Sequence, residues 1–161
     1  MYIIALHHIV IQHKVMGGAT INIFFILLAI LAGIFTTIEA SINSQLGKYL
    51  TPSIATLHSL IIGMTFILLI NMMKGNIPRY YKVVTISPIW LIGGFFGAFI
   101  IYLSAKAIPE LGISNTIILI LAGQLVSGLI IDAIANNVEI SVKKMAGMVL
   151  FLIGAVMFLR E

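Results

Sequence analysis

Cysteine is absent from this sequence, and charged residues make up only 9% of its 161 residues. Without cysteine there is no disulfide framework, no thiolate metal site and no thiol nucleophile. Soluble domains carry about a quarter charged residues, so the chain is not an ordinary soluble domain. Its net charge of +4 is small, and the basic residues form no runs interleaved with aromatics. We therefore expect no nucleic-acid partner.

Apolar residues dominate what is present. They make up 61% of the chain, and the mean hydropathy is +1.18. A helix needs about 20 apolar residues to cross a bilayer, and five stretches meet that length. The predicted spans are about 20–49, 52–73, 88–108, 113–135 and 143–159. The sequence therefore predicts an all-α membrane protein, with five transmembrane helices in one domain, 20–161, and the lipid bilayer as its first partner.

Residues 1–19 precede the first span and are too short to form another. Their apolar patches are interrupted by His7, His8 and His13. These histidines lack the i, i+4 pairing with a nearby acid that is typical of a metal site, so we expect no metal and no other cofactor. The segment is interpreted as an interfacial stretch, or as an over-long start with Met16 nearer the true beginning.

The first span carries an acidic residue, Glu39, within apolar sequence. Thr36, Glu39 and Asn43 are spaced by three and four residues, which places them on one face of a helix. The other positions around them, such as Ile38 and Ile42, are mostly apolar. A polar stripe of this kind in a membrane helix usually faces other helices or a water-filled cavity.

Two placements of this helix compete. If the hydrocarbon region starts at Ile21, Glu39 lies about 27 Å further on, close to the far side of a core of about 30 Å. It would then be a solvated interfacial acid without a special role. If Lys48 and Tyr49 mark the far headgroups, Glu39 lies about 14 Å inside them, near the midplane. An ionised carboxylate is costly there unless it is paired.

In the second placement Glu39 can exchange a proton for a cationic substrate. Asn43, His58 and Gln124 are the neutral hydrogen-bond partners that we expect around it. The alternative for these three residues is hydrogen bonding between helices without any ligand. The positions of these polar residues in the sequence are compatible with both ligand binding and interhelical hydrogen bonding.

Small residues recur at spacings that let helices approach closely in lipid. Examples are the four-residue steps from Ser59 to Gly63 and from Gly93 to Gly97. Such spacing predicts helix packing, although the glycines of the third span could instead bring backbone near a substrate. The residues assigned to packing are Ser59, Gly63, Gly93, Gly94, Gly97, Gly147 and Gly154.

The distribution of lysine and arginine predicts the orientation. Five spans place the two termini on opposite sides of the membrane. Six of the nine basic residues lie on the side of the N-terminus and three on the other. Cytoplasmic loops carry the excess of basic residues, so we expect a multi-pass protein of the plasma (inner) membrane with a cytoplasmic N-terminus.

The order and spacing of these features resemble those of the YdcZ-type five-helix half-proteins of the drug/metabolite transporter superfamily. The resemblance covers roughly residues 25–160. It is carried by Ala32-Gly33 and Asn43, by His58-Ser59 and Gly63, by Gly93-Gly94 and Gly97-Ala98, by Pro109 and Leu111-Gly112, by Gly123-Gln124 and Asp132, and by Gly147 and Gly154. That family usually shows glutamine in the first span where this chain has Glu39, which leaves the substrate open.

The resemblance implies a small secondary transporter built as one half of a ten-helix arrangement. It would export or exchange a small polar or cationic solute as an antiparallel dimer, with itself or with a homologous inverted partner. The alternative is a non-transporting membrane assembly or accessory subunit. No His-Glu-x-x-His, Gly-x-Ser-x-Gly or paired intramembrane aspartate pattern occurs, so we do not expect an enzyme.

Overall fold

The computed structural model describes residues 23–135 and 138–160, and within these ranges it contains helices and no strand. The long helices are α1 (Ile23–Tyr49), α2 (Pro52–Met73), α3 (Gly93–Leu111), α4 (Ile113–Ala135) and α5 (Val142–Leu159). They provide five candidate membrane spans by length and composition. The all-α, five-helix prediction is therefore confirmed. The predicted N-terminal segment, 1–19, lies outside the described residues.

The chain divides between Phe35 and Thr36 into two compact units. The described part of the first unit is the apolar beginning of α1, and its side chains are exposed. Phe24 and Phe25 contact each other edge to face, with ring centroids 5.5 Å apart. A helix that is apolar on all sides is suited to a lipid environment.

In the second unit, α2 contacts α3, α3 contacts α4, and α4 contacts α5. Large apolar side chains remain exposed along all of these helices. The buried residues are mostly small: Ala40, Asn43, Ser44, Ala55, Thr56, Ser104, Ala105, Ile108, Thr116 and Ala155. This is the pattern of a membrane protein, in which lipid covers large apolar groups and helices meet through small ones.

The buried residues gather near two helix turns, those that join α1 to α2 and α3 to α4. Because consecutive membrane helices alternate in direction, both turns belong to the same side of the membrane. We call this side the packed end. It is the side opposite to the α2–α3 loop, so the helices of this unit are best packed away from the basic loops.

The α3–α4 turn is tighter than the sequence predicts. We expected residues 109–112 to form the connection, but α3 continues through Pro109 to Leu111, and Gly112 alone connects the two helices. Pro109 lies inside α3, two residues before its end, although proline has no N–H to donate to the carbonyl four residues earlier. Gly112 has φ +83° and ψ 160°, a conformation that is essentially restricted to glycine.

The α2–α3 loop is also more ordered than a simple turn. Gly75, with φ 65°, reverses the chain after α2, and two 3₁₀ helices follow, Ile77–Thr85 and Pro88–Leu91. The third α-helix therefore begins at Gly93, five residues after the start of the predicted span. The candidate membrane span itself still begins at Pro88, because it includes the short 3₁₀ helix Pro88–Leu91.

Candidate functional site

The site lies on the hairpin formed by α1 and α2. Only Leu50 and Thr51 separate the two helices. Thr51 caps α2 by accepting a hydrogen bond from the backbone N–H of Ile54 at 3.2 Å. Pro52 follows at the first helical position, where its missing N–H costs nothing. A Cβ added at Gly47 would lie 3.5 Å from the Pro52 Cα, which is ordinary van der Waals contact, so the reversal brings the end of α1 directly against the start of α2.

Small side chains let the two helices meet along a seam. On α1 the seam contains Ala40, Asn43 and Ser44, which are all buried. Asn43 and Ser44 lie three and four residues after Ala40, and these spacings bring side chains together on one side of a helix. On α2 it contains Ala55, which is fully buried, and Thr56. The two helices can therefore bring polar side chains into hydrogen-bonding distance.

Ser59 bridges two polar residues of α1. The Asn43 Nδ2 donates to the Ser59 Oγ at 3.2 Å, and the Ser59 hydroxyl donates to the Glu39 Oε1 at 3.2 Å. The result is a chain of two hydrogen bonds that runs from the Asn43 amide to the Glu39 carboxylate. We call Glu39, Asn43 and Ser59 the polar cluster. The sequence analysis assigned Ser59 to helix packing alone and did not predict its hydrogen bonds to Glu39 and Asn43.

The polar cluster leaves the carboxylate partly open. Asn43 is buried and Ser59 is half-buried, but Glu39 is exposed on the surface of the single chain. Among the described residues Glu39 forms no ion pair, and the Ser59 hydroxyl is the donor observed at its carboxylate. A carboxylate with one neutral donor retains capacity to bind a proton or a cation.

Other hydroxyl groups in the helices bond to their own backbone. Thr56 donates to the Pro52 carbonyl at 2.7 Å. In the same way, Thr65, Ser104, Thr116 and Ser127 donate to the carbonyl four residues earlier. This local bonding satisfies a hydroxyl without any partner from another helix. The Ser59 hydroxyl differs because its acceptor lies on the neighbouring helix.

Ser44 is a further polar residue of the seam that the sequence analysis did not single out. Its side chain is 1% exposed, and its Oγ has no hydrogen-bond partner among the described residues. The four-residue spacing from Ala40 was the available signal, because small residues at that interval indicate a helix contact.

The other two predicted ligand residues lie apart from the polar cluster. His58 is exposed and makes no hydrogen bond to a described residue, although it precedes Ser59 in the sequence. Gln124 lines an open groove of about 440 Å³ between α3 and α4, with Ser104, Thr116 and Ser127. The structure therefore brings Glu39 and Asn43 together and joins neither His58 nor Gln124 to them.

The predicted packing glycines make no close contact with another helix among the residues that the structure describes. Outside its own stretch of helix backbone, a Cβ added at any of these glycines would have no described atom within 4 Å. The glycines are Gly63, Gly93, Gly94, Gly97, Gly147 and Gly154. The physical reason is that neighbouring helices meet through alanine and serine positions near the packed end. Close helix packing at these glycines stays a prediction.

No group of three His, Cys, Asp or Glu side chains suited to a metal occurs in the part of the chain that the structure describes. His7, His8 and His13 are outside that part, so the structure says nothing of them.

Comparison with known families identifies the chain. Residues 24–157 match the family described as "Putative inner membrane exporter, YdcZ". The chain belongs to the YdcZ family. The match includes the polar cluster and covers the five helices apart from the first residue of α1 and the last two residues of α5. No curated protein and no solved structure matched the chain.

Membership of the YdcZ family agrees with the fold. Five apolar helices and an exporter family together support a multi-pass membrane protein of transporter type. Within the YdcZ match, Glu39, Asn43 and Ser59 form the interhelical hydrogen-bond chain, and Gln124 lies in the α3–α4 groove.

Proposed function

We propose that this chain is one half of a secondary exporter of the inner membrane that exchanges a small polar or cationic solute for protons. In this proposal Glu39 binds the proton or the cation, and Asn43 and Ser59 hold its carboxylate. Two chains with opposite orientation form the transporter. The observation that carries the proposal is the hydrogen-bond chain from Asn43 through Ser59 to Glu39.

The position of Ser59 along α2 supports a position for Glu39 near the middle of the hydrocarbon core. The 22 residues of α2 span about 33 Å, close to the ~30 Å hydrocarbon core. Ser59 lies seven residues after Pro52, which is about 10 Å along the helix. Because Glu39 bonds to Ser59, its carboxylate lies within about 5 Å of the middle of α2 along the helix axis. In the proposal α2 crosses the hydrocarbon core from end to end, which puts the carboxylate well inside the headgroups. This favours the second of the two placements.

The cost of a charge at that depth supports a role in coupling. Acidic side chains within membrane helices are rare, and they commonly belong to ion or proton routes. Glu39 has no described basic partner that would neutralise it. A proton or a cationic solute would therefore stabilise the carboxylate, and the two would compete for the same group.

The exposure of Glu39 and of the glycines supports a second chain. A carboxylate on the surface of one five-helix chain would face lipid unless another surface covers it. Inverted repeats that meet at a central site are a common transporter architecture. The open faces at Gly147 and Gly154 offer positions where a second chain could approach closely. His58 and Gln124 would then be additional contacts for the solute from other parts of the assembly.

Transport by the purified protein tests the proposal. The full chain is reconstituted into liposomes that contain a pH-sensitive dye, and a panel of cations and small metabolites is added across an imposed proton gradient. We expect at least one solute to move protons in a protein-dependent manner. If no solute moves although the protein is inserted and dimeric, the proposal is wrong, and a non-transporting assembly or accessory subunit becomes the better account.

A further inference from the structure

A second groove lies at the other end of the second unit, between α2 and the 3₁₀ helix Ile77–Thr85. Its volume is about 650 Å³, within the range of small-molecule sites. Met64, Ile67 and Leu68 of α2 form one wall. These apolar residues lie on consecutive turns of the helix, so this wall follows the helix from its end toward the membrane interior.

The opposite wall comes from the 3₁₀ helix. Ile77, Tyr80 and Val83 line the groove, and their three-residue spacing matches the 3.0 residues per turn of a 3₁₀ helix, which places them in one row. The loop is tied to α2 by a backbone hydrogen bond from the Asn76 N–H to the Asn71 carbonyl at 2.9 Å. The groove is therefore bounded by two helical walls that are joined at the loop.

The polar end of the groove is basic. Arg79, Asn71 and Asn76 also line it. Residues 74–91 contain three basic residues, Lys74, Arg79 and Lys82, and no aspartate or glutamate. Arg79 is exposed and forms no ion pair with a described residue. The segment thus has an unneutralised positive charge directly beside an apolar wall.

We propose that this groove binds one anionic phospholipid of the adjacent leaflet. The Arg79 guanidinium takes the phosphate through paired N–H donors, a geometry that arginine offers and lysine does not. The Asn76 amide supplies further donors for oxygen atoms of the headgroup. An acyl chain lies along Met64, Ile67 and Leu68 of α2.

Charge and shape together select this occupant. Basic residues beside a membrane helix attract anionic lipid headgroups, and an unpaired guanidinium complements a phosphate group. A soluble anion would use the basic end and leave the apolar wall unoccupied. A zwitterionic lipid would fill the wall, but it offers no net charge to the acid-free loop. Binding of the anionic phospholipid would fix the α2–α3 loop on the membrane surface, independently of any solute transport.

Native mass spectrometry of the full chain in detergent tests this site. Phosphatidylglycerol is titrated and compared with phosphatidylcholine of the same acyl chains. Arg79→Gln removes the charge in the groove, and Lys82→Gln is the matched control, because Lys82 is on the same 3₁₀ helix but does not line the groove. Leu68→Trp fills the apolar wall without any change of charge. Soluble glycerol 3-phosphate serves as a competitor.

We expect one phosphatidylglycerol to bind per chain, at least tenfold more tightly than phosphatidylcholine. Arg79→Gln should weaken binding at least tenfold, and Lys82→Gln by about fivefold or less, which corresponds to one surface charge. Leu68→Trp should also weaken it, and glycerol 3-phosphate should not displace the lipid. Equal losses for Arg79→Gln and Lys82→Gln would overturn the proposal, because they would indicate diffuse attraction. Absence of headgroup preference, or displacement by glycerol 3-phosphate, would overturn it as well.

Discussion

The Ser59 Oγ lies 3.2 Å from the Glu39 Oε1, although the two residues are on consecutive helices. The same oxygen accepts from the Asn43 Nδ2 at 3.2 Å. Ser59 therefore positions the carboxylate with respect to α2 and links it to a buried amide. Hydrogen bonds between membrane helices are each worth about 0.6 kcal/mol on average and up to about 1.7 kcal/mol.

Replacement of Ser59 should loosen the hairpin. Ser59→Ala removes two interhelical hydrogen bonds, and we expect a loss of about 1–2 kcal/mol in unfolding free energy. Thr65→Ala is the control, because the Thr65 hydroxyl bonds to its own helix at the Ile61 carbonyl. Reversible unfolding in mixed micelles measures both. Equal effects of the two substitutions would show that the interhelical bonds contribute nothing particular.

The turn at Gly112 should tolerate no side chain. Its φ of +83° and ψ of 160° are strained for any other residue, so Gly112→Ala should cost about 1–3 kcal/mol. Gly128→Ala is the control, since a Cβ there would meet nothing within 4 Å among the described residues. Within a helix, alanine is favoured over glycine by about 1 kcal/mol, so this control should be neutral or stabilising. Thermal unfolding in detergent that ranks the two variants in the opposite order would contradict the assigned turn.

The predicted orientation places the C-terminus outside the cytoplasm. This expectation rests on the six basic residues on the side of the N-terminus and the three on the other side, because cytoplasmic loops carry the excess of basic residues. Paired reporter fusions at Glu161, one active only in the cytoplasm and one only outside it, measure the orientation. An exclusively cytoplasmic signal would contradict the predicted orientation, because either all five helices are inserted the other way or one of them does not cross the membrane. Comparable signals from both reporters would show dual insertion, which would itself supply the two orientations of an antiparallel homodimer.

Association should depend on the open face of α5. Gly147 and Gly154 are seven residues apart on this helix, and Gly154→Leu should weaken the dimer if a second chain packs there. Val149→Leu is a control on another side of the same helix, at an exposed position. Cross-linking in native membranes measures the dimer fraction. Recovery of monomer alone from the wild type would argue against the antiparallel dimer as a whole.

The helix positions could be predicted from sequence because turn residues mark their ends. The predicted spans 52–73 and 113–135 coincide with α2 and α4. Pro52 suits a first helical turn, and Gly112 permits the backbone that ends α3. The 3₁₀ helix Ile77–Thr85 was not predicted, because its row of apolar residues is short and the segment also contains a proline and two charged residues.

The polar cluster could be predicted only in part. The three- and four-residue spacing placed Glu39 and Asn43 on one face of α1. It could not show which residue of α2 would face them, because this depends on the rotation of α2 about its axis. Ser59, on the same stripe as Ala55, faces α1, whereas His58, one residue earlier and about 100° around the helix, is exposed. Sequence spacing alone did not distinguish these two neighbours.

The central claim, that Glu39 is the coupling group, is tested most directly by proton-coupled flux through Glu39→Gln in liposomes. Glutamine keeps the shape and the hydrogen bond from Ser59, but it cannot bind or release a proton at neutral pH. Glu110→Gln, which neutralises an exposed acid near the end of α3, is the control. We predict that Glu39→Gln loses proton-coupled flux at least a hundredfold, while Glu110→Gln retains it. Wild-type proton-coupled flux in a folded Glu39→Gln protein would contradict the account.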